Sequence, residues 1–307
     1  MFYRRKLLLS LLQEFEKPLS SIELQKLLFL VSLEQEGTPT YEFIPGEQGC
    51  YSFTIHTDQE ILLRKGLLTC QEDKDFTIYS RLSLNQEAFT ELDIKLKKED
   101  KSILSSIEEA YKNYSTDELI KLTAELDPFY AMRSIWLNQF TFSKDFYAKQ
   151  AMIKKEIESS VHALYTMGYE GISIEQFMTT LIRKNIKAVI DVRGNSNSMK
   201  RDFAKHKFAG YLDAVGIGYI PMPEIGVPNK IKREYLQSDR RQELFAWHEA
   251  NVLEKKSEYI EKINTLAATQ NVVLICFEKD PQQCHRSHVA QFCHHASPKI
   301  PIEHLGI

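Results

Sequence analysis

No apolar run in this chain reaches the about 18–20 residues that a transmembrane helix needs. The opening, Met1-Phe-Tyr-Arg-Arg-Lys-Leu-Leu-Leu-Ser-Leu-Leu12, has a basic flank and an apolar patch. The patch is short, no small-residue cleavage site follows, and an amphipathic helical pattern continues. It reads as the first helix of a cytoplasmic protein with no membrane partner. Five cysteines, at 50, 70, 276, 284 and 293, do not make a disulfide framework in 307 residues. There is no CxxC pair, and the seven residues between Cys276 and Cys284 exceed the usual ligand spacing, so no metal ligand set is assigned. Gly168-Tyr-Glu-Gly171 is not a GxGxxG fingerprint, so no nicotinamide or flavin cofactor is assigned either. The net charge of -3 carries no global signature of nucleic-acid binding, which leaves a local basic face open.

What is present suits a globular protein. The hydrophobic fraction of 43% is ample for packed cores, and the length favours two domains. Leu7, Leu8, Leu11, Leu12 and Phe15 recur at helical spacing. Ser20-Ser21 with Glu23 offers a cap for a second helix that stops at Gly37. Tyr41–Ile44 reads as extended, Pro45-Gly46 as a turn, and Ser52–Lys65 as a third helix closed by Gly66. The polar turn 71–75 then separates two extended pieces, the second at Phe76–Tyr79. Three helices followed by a hairpin is the order of a winged helix-turn-helix, and residues 41–68 resemble antitoxin-like and defence-associated winged-helix domains. Residues 1–82 are therefore read as a winged-helix-like domain that contacts nucleic acid or a protein partner. The few cations of its third helix weaken DNA reading. Residues 83–160 read as a helical region, with Ser115–Glu118 opening one helix, Asp127-Pro128 ending it, and Lys144–Ser160 as a linker.

From 161 the texture becomes β/α. Strands are expected at Val161–Met167, Ala188–Arg193, Ile217–Ile220 and Val272–Phe277, with an edge strand near Ile300–Ile302. Helices are expected at Ile174–Lys184 (capped by Ser173), Phe203–Val215 and Gln282–His295. The expectation is a Rossmann-like α/β domain over 161–307 with a mostly parallel sheet. Its strand C-termini would gather four loops at one edge: Gly168–Gly171, Asp191–Asn195, Pro223–Gly226 and Cys276–Arg286. At the last corner, Cys284 and His285 fall in the first turn of a helix, where amide N–H groups and the dipole favour an anion and would lower a thiol's pKa. A thiolate beside a histidine is a plausible nucleophile, and Arg286 offers a fork for phosphate or carboxylate. Cys276, in a β-branched run, reads as a small buried hydrophobe or as the partner of Cys284 in a redox pair. Asp191 and Arg193, two apart, face the same side. The loop 195–207 carries Lys200 and Arg201, with Phe203 and Phe208 interleaved among its later cations, as at a nucleic-acid contact.

Thr166–Gly171, Asp191-Val-Arg193, Pro223–Gly226 and Cys276-Phe-Glu278 with Cys284-His285-Arg286 match in order the pattern of the family catalogued as domain of unknown function 488. The resemblance covers roughly 161–297. It implies a Rossmann-like fold with these motifs around one pocket, and association with nucleic-acid-related and defence gene settings. Where many relatives carry a basic or proline-containing run after Asp-Val-Arg, this chain has Gly194-Asn-Ser-Asn-Ser198. The resulting expectation is a nucleotide- or nucleic-acid-directed pocket. Cys284 would be nucleophile or substrate contact, and His285 the acid/base. Asp191 or Glu278 would orient or act as base. Arg193 and Arg286 would hold an anion, and Tyr169, Glu170, Glu224, Lys200 and Arg201 would make further contacts. A non-enzymatic sensor of a nucleotide or modified base, and a thiol redox protein using Cys276 and Cys284, are the alternatives.

Overall fold

The computed structural model describes residues 1–71, 76–158, 162–237 and 240–306. Most of the polar turn expected at 71–75, the end of the expected linker at Ser159-Ser160, and Val161 of the first expected strand lie outside these residues. The chain forms two compact units, Met1–Lys154 and Lys155–Ile307.

In the first unit, helix α1 (Tyr3–Phe15) leads to a two-residue strand β1 (Leu19–Ser20) and α2 (Ser21–Glu34). Ser20 and Glu23 form the reciprocal capping box that their spacing predicts, satisfying two amides at the start of α2. Next come β2 (Ile44–Gly46), β3 (Gly49–Tyr51), α3 (Phe53–Arg64), β4 (Leu68–Cys70) and β5 (Arg81–Leu84). Pro45-Gly46 is therefore part of a hairpin strand and not the turn, which moves to Glu47-Gln48 before Gly49 at φ 83°. The extended piece expected at Phe76–Tyr79 is not a strand; pairing begins at Arg81. The sheet order is β1-β5-β4, all antiparallel. Then α4 (Gln86–Thr90), α5 (Lys98–Tyr111), α6 (Thr116–Leu126) and α7 (Pro128–Ala131) follow, with leucines of α1 and α2 sharing one core with Leu104, Ile107 and Leu119. The expected linker is instead the helix α8 (Lys144–Glu158), anchored by buried Phe146 and carrying an Asp145–Lys149 pair at i, i+4.

The second unit is a five-stranded, wholly parallel sheet of β6 (Leu164–Gly168), β7 (Ala188–Asp191), β8 (Gly218–Pro221), β9 (Val272–Cys276) and β10 (Ile302–Leu305), in the order β10-β6-β9-β7-β8. Helices α9 (Ile174–Arg183), α10 (Lys205–Ala214), α11 (Asn229–Gln237), α12 (Arg241–Asn251), α13 (Ser257–Ala267) and α14 (His285–Ala296) connect and cover it. Strands β6, β7 and β9 are buried along their whole length, as parallel strands sandwiched by helices must be. Leu164, Ala188, Ile190, Val272 and Leu274 point to one face and pack with Ile260, Ile263, Val289 and Ala290 of α13 and α14. The alternate residues face the other way, where Phe208 of α10 meets Tyr219 of β8. No helix among the described residues is long and apolar enough to cross a membrane.

Candidate functional site

The registers Gly168↔Cys276, Asp191↔Ile275 and Asp191↔Pro221 level the ends of β6, β9, β7 and β8 at one sheet edge. Two backbone approaches fix the loops there. A Cβ on Gly168 would lie 1.9 Å from the carbonyl oxygen of Glu278, so only glycine lets the β9 loop close over β6. Gly194 and Gly226 meet backbone to backbone, with a Cβ on Gly226 falling 2.3 Å from the Gly194 nitrogen.

Asp191 is wholly enclosed and holds Arg193 in a bidentate pair, Oδ1 to Nε at 2.8 Å and Oδ2 to Nη2 at 2.7 Å. Tyr219 donates its hydroxyl to Oδ2 at 2.6 Å; burial and that bond push the phenol up to about 12. Arg193 Nη1 donates to the Tyr169 hydroxyl at 2.8 Å and to the Phe203 carbonyl at 3.0 Å. Burial opposes its charge, but Asp191 overrides that and keeps the guanidinium protonated. Tyr169 stacks on Phe203 at 4.3 Å and meets Phe277 edge-on at 5.5 Å. Phe203 and Phe208, expected to interleave with cations at a nucleic acid, are both fully buried beneath this wall.

The Cys276–Arg286 corner turns inward. Cys276, Cys284 and His285 are 2%, 1% and 6% exposed, and their two sulfurs and a ring nitrogen lie within 4.8 Å of one another. Cys284 is the N-cap of α14, but its side chain caps no amide. The helix-terminus depression expected of its pKa is overturned: burial pushes the thiol up, and adjacent Cys276 adds to the effect. His285 Nε2 lies 2.9 Å from the Val192 carbonyl, which can only accept, so Nε2 carries the proton and the Nδ1 lone pair points at Cys276 Sγ, 3.7 Å away. His248 packs its ring at 87° against that imidazole, and burial, followed by the neighbouring His285, lowers its own pKa to about 4. Glu278 accepts from Lys232 at 2.8 Å and from the Cys276 thiol at 3.1 Å. Burial raises its pKa, but Lys232 dominates and holds it at about 2.

Arg286 does not reach the pocket. It is completely buried, and its Nη atoms donate to the carbonyls of Glu278 and Lys279, so the guanidinium braces the β9 loop. Glu170 accepts from the Lys279 amide at 3.0 Å and braces the same loop from outside. Glu224 and Arg201 are exposed and stand away from the cleft. Lys200 does line it, donating to the carbonyls of Tyr169 and Ile172.

A cleft of about 700 Å³ lies above these groups, with Arg193, Lys200, Lys232 and Arg233 on its walls, Tyr169 and Phe277 beside them, and Cys276 and His285 at its floor. No carboxylate is among its described lining residues. Phe277 is 41% exposed. Lys232 and Arg233 were not anticipated from sequence; they come from α11, whose Asn229, Lys232, Arg233 and Leu236 present one helical face. The basic run Lys230-Ile-Lys-Arg233 just after Pro228 was the signal for them.

Residues 173–293 match the model of the family described as Domain of unknown function DUF488. The DUF488 match starts at the cap of α9 and runs into α14. It takes in the Asp191–Arg193 pair, α11 and the whole cysteine corner, and leaves out Tyr169 and Glu170. No curated protein and no solved structure matches the chain.

Proposed function

We propose that the C-terminal unit binds a nucleotide or a nucleic-acid strand in the cleft at the sheet edge, in DNA processing or defence. The observation that carries this reading is the lining: four cations, a tyrosine and a phenylalanine, with no carboxylate among the described residues. Arg193 and Lys232 are ion-paired with Asp191 and Glu278 behind the wall, so among the described residues Lys200 and Arg233 supply the net charge that attracts a phosphate, and an exposed aromatic edge takes a base by stacking. The position at the C-terminal ends of parallel strands, where open α/β sheets hold ligands, supports it as well. In this reading Arg193 is a fixed positive wall, since its donors are taken by Asp191, Tyr169 and Phe203, while Arg233 on the exposed face of α11 makes the adjustable contact.

The corner chemistry favours the binding or sensing form of this proposal over a free thiolate nucleophile. Cys284 is 1% exposed and does not line the cleft, whereas a nucleophile must reach its substrate. The N-terminal unit would then act as the regulator. Its order of three helices, with a small sheet β1-β5-β4 closed by the chain after α3, supports a winged-helix reading. Asp58 of α3 is spent on Arg4 and Arg5, and the solvent-facing Glu60 opposes Arg64, which favours a protein partner over DNA for this helix.

The test is fluorescence anisotropy with labelled single-stranded DNA, single-stranded RNA and mononucleotides, comparing the wild type with Arg233→Glu. Saturable, salt-sensitive binding that the variant weakens about tenfold, roughly 1.4 kcal/mol, is the expected result. Failure of all three probes to bind at low salt would refute the proposal.

A further inference from the structure

The floor of the cleft holds a cluster that nucleotide recognition does not require. Cys276 ends β9, and Cys284 and His285 open α14. The seven intervening residues argue against metal ligation if spacing alone is read. In the folded chain they form one loop clamped by Gly168, Glu170 and Arg286, and this loop delivers both thiols to one point. Cys276 Sγ is 3.7 Å from His285 Nδ1, and all three candidate donor atoms lie within 4.8 Å of one another. With Zn–S near 2.3 Å and Zn–N near 2.0 Å, a tetrahedral zinc separates a sulfur and a nitrogen ligand by about 3.6 Å.

The imidazole is already set up as a ligand. Its Nε2–H is held by the Val192 carbonyl at 2.9 Å, which fixes the tautomer and aims the Nδ1 lone pair at the sulfurs. Metal-bound histidines carry this outer hydrogen bond almost without exception. His248, itself donating to the Ile225 carbonyl at 2.8 Å, packs edge-on against the ring and restrains its tilt. Glu278, itself paired with Lys232 at 2.8 Å, accepts from the Cys276 thiol at 3.1 Å and holds that sulfur toward the cluster.

We infer that Cys276, Cys284 and His285 form a binding site for a thiolate-preferring divalent transition ion of the zinc class, with its fourth position directed to the cleft. The donor set selects the ion: two thiolates and an imidazole suit zinc and do not suit magnesium or calcium. Three protein ligands with an open fourth position is the arrangement of ions that bind a water or a substrate oxygen. Cys276 and His285 line the cleft, so that position opens on the same space as the wall cations. The other three cysteines, Cys50, Cys70 and Cys293, take no part. This inference stands apart from nucleotide binding, because the site would load with the cleft empty.

The test uses untagged full-length protein purified under reductant without chelator. Elemental analysis should find a single zinc per chain. Apoprotein loaded with cobalt(II) should develop sulfur-to-cobalt charge-transfer absorption and the visible bands of a tetrahedral ion. Both signals should disappear in Cys276→Ser and in Cys284→Ser and persist in Cys293→Ser, with circular dichroism checking the fold of each variant. Should those serine variants fail to fold, the triple variant Cys50→Ser, Cys70→Ser, Cys293→Ser decides, since a thiolate charge-transfer band that persists in it can come only from Cys276 and Cys284, and loss of the band from the folded triple variant overturns the inference. A reduced wild type that gives no charge-transfer band overturns the inference. So does a band left intact in a folded Cys276→Ser protein, or a Cys276–Cys284 disulfide in protein isolated under reductant.

Discussion

Among the described residues Asp58 of the N-terminal unit and Asp191 of the C-terminal unit are fully enclosed, and the two sites use the same chemistry for different ends. In the N-terminal unit Asp58 of α3 accepts from Arg4 Nε at 2.5 Å, Arg5 Nε at 2.6 Å and the Tyr41 hydroxyl at 3.2 Å. Arg4 is 33% exposed, so this cluster is a staple joining α1 to α3 with one arm in water. In the C-terminal unit Asp191 is gripped by the buried Arg193 and the half-buried Tyr219, and the guanidinium continues to Tyr169 and the cleft wall. The staple ends in solvent, whereas the second pair ends in a pocket. A buried ion pair is weak evidence of stability by itself. What distinguishes the second is its neighbourhood: a levelled strand edge, an aromatic wall, and a cleft whose described lining has no carboxylate.

Four substitutions would break or sharpen this contrast. Asp191→Ala leaves Arg193 buried without its counter-charge and should cost the C-terminal unit about 3–5 kcal/mol in denaturant unfolding. Gly168→Ala forces a methyl group against the Glu278 carbonyl and should cost about 3 kcal/mol, and loosening of the corner should appear as faster amide exchange in the 277–286 loop. Asp58→Ala should cost the N-terminal unit less, about 2 kcal/mol, because Arg4 can turn to water once its partner is gone. A loss equal to that of Asp191→Ala would remove the distinction drawn here. Arg233→Glu, on the exposed face of α11, should change stability by less than about 0.5 kcal/mol while weakening binding at the cleft.

The strand core was legible because β7 and β9 are short β-branched runs and β6 a short apolar one, each bounded by turn residues, and caps such as Ser20/Glu23, Ser115/Glu118 and Ser173/Gln176 sit where their spacing predicts. Asp191 and Arg193 were expected on one side of a strand; they do pair, but β7 ends at Asp191 and Arg193 reaches it from the following loop, its own amide donating to Oδ1 at 3.1 Å. What sequence did not yield depends on the third dimension. Cys276 reads either as packing in its run or as a partner of Cys284, and the choice is made by Gly168, which lets the next loop fold down and bring its sulfur to Cys284 and His285. Arg286 reads as an anion clamp, yet it is fully buried with its Nη atoms on the carbonyls of Glu278 and Lys279. Lys144–Glu158, charged and sparsely apolar, reads as a linker, while Phe146 and the Asp145–Lys149 pair make it a helix. Helix α11 has no buried residue, so its cations gave no core pattern to place them.

The most direct test of the central claim is photocrosslinking of full-length protein to a single-stranded oligonucleotide carrying 4-thiouridine, with the adducts mapped by mass spectrometry. The account predicts adducts at the cleft, on peptides containing Tyr169, Phe277 or the α11 face, and their suppression by Arg233→Glu. Adducts confined to α3 and the β4–β5 region of the N-terminal unit, unaffected by that substitution, would contradict it.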